Sequence, residues 1–531
     1  MNRQQIVNSV EQYGGYWDVI VVGGGATGLG VAVDAASRGY KTILLEQHDF
    51  SKGTSSRSTK LVHGGVRYLR RGNVSLVIEA LHERGLLIHN APHLVSHQAF
   101  IVPSYVWWDG PFYGAGMKVY DLLAGKLGLG PSRRLSKQET LAHIPTLEPE
   151  GLRGGVVYFD GQFDDSRLAI NLAQTIVEHG GTPINYFKVR DFLKTGEMIH
   201  GVIATDMETG RHYEINGRVV VNATGVFTDT LLEMDNPEAK KIICPSQGVH
   251  LILDKEFLPG EDAVMAPQTE DGRVLFAVPW HDKVIVGTTD TPVAEVSLEP
   301  RALDHEIEFI LKHAAACMTK DPTRADVKSV FAGLRPLVNT GDSKSTAAIS
   351  RDHYLVVSES GLVTITGGKW TTYRKMAEDT VNQAMMVAGL DERECVTKEL
   401  RIHGWLKHYD RHDPLRYYGS DAVFIRKLVS ADPALGEKLH QKLPYIKAEV
   451  IWAVREEMAR TVEDFLARRS RSLFLDAGAS MEMAAEVARL MAGELKHDDD
   501  WQKEQVDDYT KLAEGYLLNG SLQGGLNDNM R

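Results

Sequence analysis

The sequence predicts an α/β fold in which a nucleotide-binding domain is interleaved with an antiparallel-sheet domain and followed by an all-helical C-terminal domain. Three observations carry this. A short β-branched run, Asp18 to Val22, leads through glycines 23, 24, 25 and 28 into an alanine-rich stretch to Ser37, and Lys41 to Leu45 follows as a second buried strand. That is a βαβ unit. Segments of alternating apolar and polar residues recur at Gln98 to Trp108 and from Gly248 to Thr289, as in Val249 to Asp254, Arg273 to Val278 and Lys283 to Gly287, which suits an antiparallel sheet with one packed face. After about residue 395 helical periodicity dominates, for example over Ile446 to Arg468 and Met481 to Leu495.

Gly201 to Ala204 and Val219 to Thr224 read as strands and Asp165 to His179 as a helix. The nucleotide domain is therefore expected in pieces, over 16–95, 151–240 and 335–392, with the second domain over 96–150 and 241–334 and the helical domain over 393–531. A chain of 531 residues, at roughly 150 per domain, has room for these without disulfide or metal staples. Cys244, Cys317 and Cys395 lie far apart, so they assemble neither a disulfide framework nor a cysteine-ligated metal site, and a reducing compartment is expected. No metal is expected at the site. Asp498 to Asp500 lacks the glycine and acidic spacing of a calcium loop and reads as a solvated charge run. The net charge of −12 argues against a nucleic-acid-coating surface, which needs a basic face. An anionic ligand must then be held by local cations. No apolar run reaches the ~20 residues of a membrane-spanning helix, and Met1 to Trp17 does not read as a signal peptide.

Gly23-x-Gly25-x-x-Gly28 combines a tight turn, close approach of backbone to a pyrophosphate, and close packing of helix on strand. Glu46, 18 residues after the last glycine, can accept hydrogen bonds from a ribose diol and disfavours a 2′-phosphate, which leaves FAD or NAD. Two further features favour FAD. Asn222-Ala223-Thr224-Gly225 ends a second strand in small residues, and Gly367-Gly368-Lys369 precedes the helix-compatible run Thr371 to Ala384, whose amino terminus suits an anionic group.

The sequence resembles the FAD-dependent glycerol-3-phosphate dehydrogenases, within the amino-acid-oxidase-like flavoproteins. The matching blocks are Thr54 to Leu69, Asn222 to Gly225, Gly287-Thr-Thr-Asp290, Gly333-Leu-Arg335-Pro336-Leu337, Ser350-Arg351-Asp352 and Gly367 to Arg374, in the family's order. The resemblance implies a Rossmann-like FAD-binding domain and oxidation of sn-glycerol 3-phosphate to dihydroxyacetone phosphate, with electrons passed to a quinone. It implies that Thr54, Ser55, Ser56, Arg57, Ser58 and Lys60 hold the FAD phosphates and the polar edge of the flavin, with Gly333, Gly368, Lys369 and Thr371. It places Arg67, Tyr68, Arg335, Arg351 and Lys369 around the substrate, where forked arginines suit a phosphate dianion. His63 and His250 are both candidates for the base, and Arg335 for phosphate binding or for stabilising alkoxide charge.

Tyr105 to Arg134 combines Trp107, Trp108, Phe112, Tyr113 and Tyr120 with Lys118, Lys126, Arg133 and Arg134. Such a segment suits a membrane headgroup layer or the aromatic edge of the second domain; the resemblance favours the membrane. Val226-Phe227 stands where many bacterial relatives carry Pro-Trp, and the Thr54 and Gly367 blocks look more like the mitochondrial type. Neither that type's calcium-binding helix-loop-helix pair nor its transit peptide is seen, so a bacterial origin fits best. The expectations are a homodimer in the cytoplasm, peripherally bound to the inner face of the cell membrane. An oxygen-using glycerol-3-phosphate oxidase is the alternative, although no insert of the oxidase kind is seen between Asp290 and Arg335; a flavoprotein amine oxidase is another, needing fewer cations.

Overall fold

The computed structural model describes residues 1–65, 73–106, 109–266, 274–339 and 353–518. At its centre Trp17–Val22 lies between Thr42–Leu45 and His212–Asn222, parallel to both. Val363–Gly367 and Thr182–Ile184 extend the sheet in parallel on either side, and His353–Val357 closes one edge antiparallel. Successive side chains of a strand point to opposite faces, and here both faces are covered. Val19, Val21 and Leu44 pack into one core with residues of the helices Ala26–Ser37, Asp165–Glu178 and Tyr373–Ala388. Ile20, Val22, Ile43 and Leu45 pack into another, with Val7 and Val10 of the helix Arg3–Gln12 and with the antiparallel meander Phe187–Thr195, Met198–Asp206. Coverage on both faces explains why these strands are apolar without alternation.

The second sheet is largely antiparallel. Ile243–Asp254 pairs with Ser329–Val338 from Ile243↔Val338 to Ile252↔Ser329, and on its other side with Lys283–Gly287. Beyond come Leu275–Trp280, Ala263–Ala266, Val95–Ser104, Gly154–Phe163 and Leu61–Val62. Gly154–Phe163 falls in a range expected with the nucleotide domain, yet it pairs with Val95–Ser104 along its whole length, Ser104↔Gly154 to Val95↔Phe163. The chain leaves this strand and within two residues starts the helix Asp165–Glu178 against the first sheet. Ser329–Val338 likewise runs across the boundary expected at 334/335, because an antiparallel ladder forms as one piece.

In the helical region Ala422–Ala431, Lys447–Glu456, Ala477–Leu495 and Asp499–Glu514 are helices. The stretch of helical periodicity over Ile446 to Arg468 is not one continuous helix. It stops at Glu456, Met458 takes a left-handed φ of 54°, and Asp464–Arg469 forms a separate wider turn. Asp498, expected to be part of a solvated run, caps the last helix by accepting from the Trp501 amide, with Asp499 and Asp500 at its positive end. Phe465, Leu466, Phe474, Met483 and Val487 share a core with Ile252, Trp280, Ile285 and Phe331 of the second sheet. Among the described residues no helix is long and apolar enough to cross a membrane.

Charged side chains seal the same region to the first sheet. Arg167 makes a bidentate pair with Glu457 at 2.8 and 2.7 Å. Arg468 donates to Asp49, Glu463 and Asp464, Arg469 to Asp49, and Arg471 to Asp165. All four arginines are buried. Removing one partner of such a pair leaves an uncompensated charge, so Glu457→Gln is expected to cost about 3 kcal/mol or more, read from chemical denaturation. For Glu463, burial raises the carboxyl, but Arg468 and Lys52 outweigh it and hold it at about 2. A depressed carboxylate contributes its full stability above its unfolded pKa of about 4.3 and loses it as pH falls through the folded value. The Glu463 contribution, read as the difference in folding free energy between wild type and Glu463→Gln, is therefore expected to hold steady above about pH 5 and to shrink on acidification below about pH 4; a difference that stays flat to about pH 2 would contradict this seam.

Candidate functional site

A cavity of about 550 Å³ opens between the two sheets, at the carboxyl end of Trp17–Val22, where ligands bind in open α/β sheets. Its floor is built by glycine. Gly23 has φ 111°, and a Cβ there would meet the Ala223 carbonyl at 2.6 Å. A Cβ on Gly28 would lie 1.9 Å from the Gly23 carbonyl oxygen, so Gly28 sits behind the turn and lets the helix press on it, while Gly23 and Gly25 line the cavity. Glu46 also lines it and is half-buried; its Oε2 accepts from the Gly24 amide at 2.6 Å and its Oε1 from the His48 amide at 2.8 Å. Burial pushes this carboxyl up, against those two amides. A carboxylate takes about four hydrogen bonds, which leaves capacity for a ribose diol.

The Thr54 to Lys60 loop divides between front and back. Thr54, Ser55, Arg57, Ser58 and Thr59 line the cavity; Ser56 and Lys60 do not. Ser55 Oγ accepts from the Ala26 amide at the helix start (2.9 Å), and Thr54 Oγ1 donates to the Leu334 carbonyl (2.7 Å). The Arg57 guanidinium is anchored to the Leu298 carbonyl, Glu299 and the Tyr516 hydroxyl. Lys60, expected at the cofactor, instead turns away: it has φ 61°, is fully buried, and donates to both Asp165 oxygens at 2.9 and 2.7 Å. Its ammonium needs that carboxylate, because burial pulls it down to about 7 against the pull of Asp165.

Asn222 is also a scaffold residue. It is buried outside the lining, accepting from Thr224 Oγ1 at 2.7 Å and donating to the Thr228 carbonyl at 3.1 Å; Ala223, Thr224 and Gly225 line the wall it shapes. Gly333 lines the opposite wall, where a Cβ would come within 2.9 Å of the Arg57 side chain. Gly367 and Gly368 have φ 77° and 68°, and Lys369 and Thr371 follow into the cavity just before the helix Tyr373–Ala388. Trp370 Nε1 donates to the Ser55 carbonyl at 2.8 Å, and the Thr371 hydroxyl accepts from the His63 amide at 3.2 Å. The three glycine-rich turns thus meet in one cradle.

His63, His250, Arg335 and Lys369 line the same cavity. His250 shares a hydrogen bond between Nε2 and Thr59 Oγ1 (2.9 Å), and its ring stacks on Phe331 at 4.9 Å. Burial, then Arg335 and Lys60, push it well below the ordinary imidazole range, so it is neutral at neutral pH. Arg335 donates to the Gln247 and Thr289 carbonyls and pairs with Asp290 at 3.2 Å. Arg67, Tyr68 and Arg351 lie outside the described residues, as do Trp107 and Trp108 and the side chains of Phe112 and Lys126. Within the expected membrane segment Tyr120 is a core residue: its hydroxyl donates to Asp160 and accepts from the Gly64 amide at 2.8 Å. Thr59, Asp290 and Lys52 were not expected as site residues. The first two stand inside the family blocks, and Lys52 lies on the cavity six residues beyond Glu46; the sequence alone gives no reason to prefer them over neighbouring polar residues.

The profile of a family described as FAD dependent oxidoreductase matches residues 18–374, and that of the C-terminal domain of alpha-glycerophosphate oxidase matches residues 362–503. The chain is 41% identical to a probable mitochondrial glycerol-3-phosphate dehydrogenase of Caenorhabditis elegans, over 95% of this chain and 74% of that protein. It is 40% identical to the mitochondrial glycerol-3-phosphate dehydrogenase of Bos taurus, over 93% and 73%. The crystal structure of a glycerol-3-phosphate dehydrogenase from Bacillus halodurans complexed with FAD superposes with a TM-score of 0.80, covering 97% of each chain at 29% identity. FAD is the cofactor, and the cradle fits it: a side chain at Gly23 or Gly28 would fill the space the turn leaves. Gly28→Ala is accordingly expected to yield protein without visible flavin absorption; a yellow variant would show that the turn relaxes. On the match over 18–374 and the identity to these relatives, the chain belongs to the FAD-dependent glycerol-3-phosphate dehydrogenase family.

Proposed function

We infer that the protein oxidises sn-glycerol 3-phosphate to dihydroxyacetone phosphate and passes the electrons to a quinone at a membrane surface. The observation that carries this is the convergence of His63, His250, Arg335 and Lys369 on one cavity with the glycine cradle. FAD, when bound, accepts the carbinol hydrogen as hydride. The hydroxyl proton needs a base, and two imidazoles are available. His250 is held neutral, and its Nδ1 has no hydrogen-bond partner among the described residues. His250 shares its Nε2 with Thr59 and its Nδ1 is buried, so both it and His63, which also lines the cavity, are kept as candidates for the base. Arg335 and Lys369 supply two cations for a phosphomonoester or a developing alkoxide, and Arg67, Tyr68 and Arg351 are proposed to complete that pocket.

Val119 and Leu122 on the helix Asp109–Ala124, and Val74 and Ile78 at the start of Val74–Asn90, expose 46, 79, 41 and 45% of their surface. Exposed apolar side chains on these two helices, with no crossing helix among the described residues, suit docking on the headgroup layer; the inner, cytoplasmic face of the cell membrane is the proposed surface. The match to an oxidase C-terminal domain keeps oxygen as the second acceptor to test.

The decisive experiment follows the visible flavin band during anaerobic addition of glycerol 3-phosphate, then of a quinone analogue or of oxygen. Bleaching by substrate and recovery with quinone but slowly in air supports the dehydrogenase; fast recovery in air supports the oxidase; no bleaching rejects the substrate. Arg335→Ala is expected to keep FAD and lose turnover by about a hundredfold or more, as when a preorganised donor to developing charge is removed. Unchanged turnover would exclude Arg335 from substrate binding and catalysis.

A further inference from the structure

The loop that lines the cofactor cavity is held from behind by the helical domain. Asp165, at the first turn of the helix Asp165–Glu178, gathers donors from three directions. Lys60 Nζ reaches both of its oxygens, at 2.9 and 2.7 Å. Ser58 gives its amide at 3.2 Å and its hydroxyl at 2.7 Å. Arg471, from the helical domain, gives an Nη2 bond at 3.0 Å. Lys60 and Arg471 also both donate to the Ser56 carbonyl, at 2.6 and 3.5 Å. Nothing in this group reaches solvent: Lys60, Asp165 and Arg471 are each no more than 1% exposed. Trp280 and Phe474 flank both cations, with Phe331 beside Lys60.

The backbone is shaped for this arrangement at both ends. Lys60 has φ 61° and Arg471 has φ 65°, a region non-glycine residues occupy only when their surroundings require it. The charges balance. Asp165 and Asp164, whose Oδ1 lies 3.6 Å from Arg471 Nε and whose Oδ2 meets His281 Nε2 at 3.1 Å, face Lys60 and Arg471. Removing any one member leaves a buried charge uncompensated. In front of this group the same loop presents Thr54, Ser55, Arg57, Ser58 and Thr59 to the cavity, and Thr59 holds His250.

We propose that Arg471, Asp165 and Lys60 are positioning residues of the FAD site, through which the helical domain sets the cavity face of the Thr54–Thr59 loop and so the retention of the cofactor. None of the three touches the cavity; they act through Ser56, Ser58 and Thr59. The proposal rests on FAD occupying this cavity and is independent of which substrate is oxidised.

The test is the affinity of the full-length apoprotein for FAD, measured by quenching of flavin fluorescence, in wild type, Arg471→Met, Arg471→Lys and Lys60→Met, with far-ultraviolet circular dichroism as the check of folding. Folded Arg471→Met and Lys60→Met are expected to bind FAD about tenfold or more weakly, the size of losing one charge-assisted bond in a buried network. Arg471→Lys, which restores the charge, is expected to recover most of that loss. Wild-type affinity in folded Arg471→Met or Lys60→Met overturns the proposal, since a purely structural seam would lower stability and leave affinity alone. Should Arg471→Met fail to fold, Lys60→Met decides by the same reading. A protein that binds FAD normally yet is not bleached by glycerol 3-phosphate would defeat the substrate reading only.

Discussion

Burying an ionised group away from water costs more than most other single features of a fold, and this protein buries a row of them between its helical region and its parallel sheet. Asp49, Asp164, Asp165 and Glu457 meet Arg167, Arg468, Arg469, Arg471 and Lys60 where almost no solvent reaches. Such a row is tolerable only when each charge is matched and each donor has an acceptor. That requirement fixes the parts relative to one another more sharply than apolar packing does, because a hydrophobic face tolerates sliding and a bidentate Arg167–Glu457 pair does not.

The site inherits its shape from that constraint. The cavity lies where the parallel strands end and the second sheet begins, and the strand Gly154–Phe163 of one sheet runs straight into the helix Asp165–Glu178 of the other. Asp164 and Asp165 sit at that junction. A carboxylate there is simultaneously at a helix amino terminus, where the backbone dipole favours it, behind the cofactor loop and against the helical region. The glycines then do what side chains cannot, keeping Gly23, Gly28 and Gly368 thin enough for close approach. The chemistry-bearing groups, His250 and Arg335, stand on paired strands, Ile243–Asp254 and Ser329–Val338, a rigid mount for residues that must hold one geometry.

Local patterns were legible in the sequence. The strand, glycine turn and helix read correctly because each depends on residues within about thirty positions of one another, and the runs at 18–22 and 41–45 mark strands covered on both faces. What escaped the sequence depends on partners far apart. Asp49 and Arg469 are 420 positions from each other, and nothing near either announces the pair. Lys60 stands among cavity-lining residues and still faces backwards, because its left-handed φ turns it. Gly154–Phe163 belongs to the second sheet through register alone. The helical pattern stops at Glu456, and Glu457, next in the chain, pairs with Arg167, 290 positions away.

On the proposed coupling, the helical region and the cofactor loop form one cooperative unit. Hydrogen exchange of the FAD-bound protein in rising denaturant, read together with flavin fluorescence, tests it most directly. Amides of the Gly53 to Thr59 loop and of the Arg468 to Leu475 segment are expected to lose protection in the same step, and this step is expected to release the flavin. Unfolding of the helical region at lower denaturant, with the loop still protected and the flavin still bound, would contradict it.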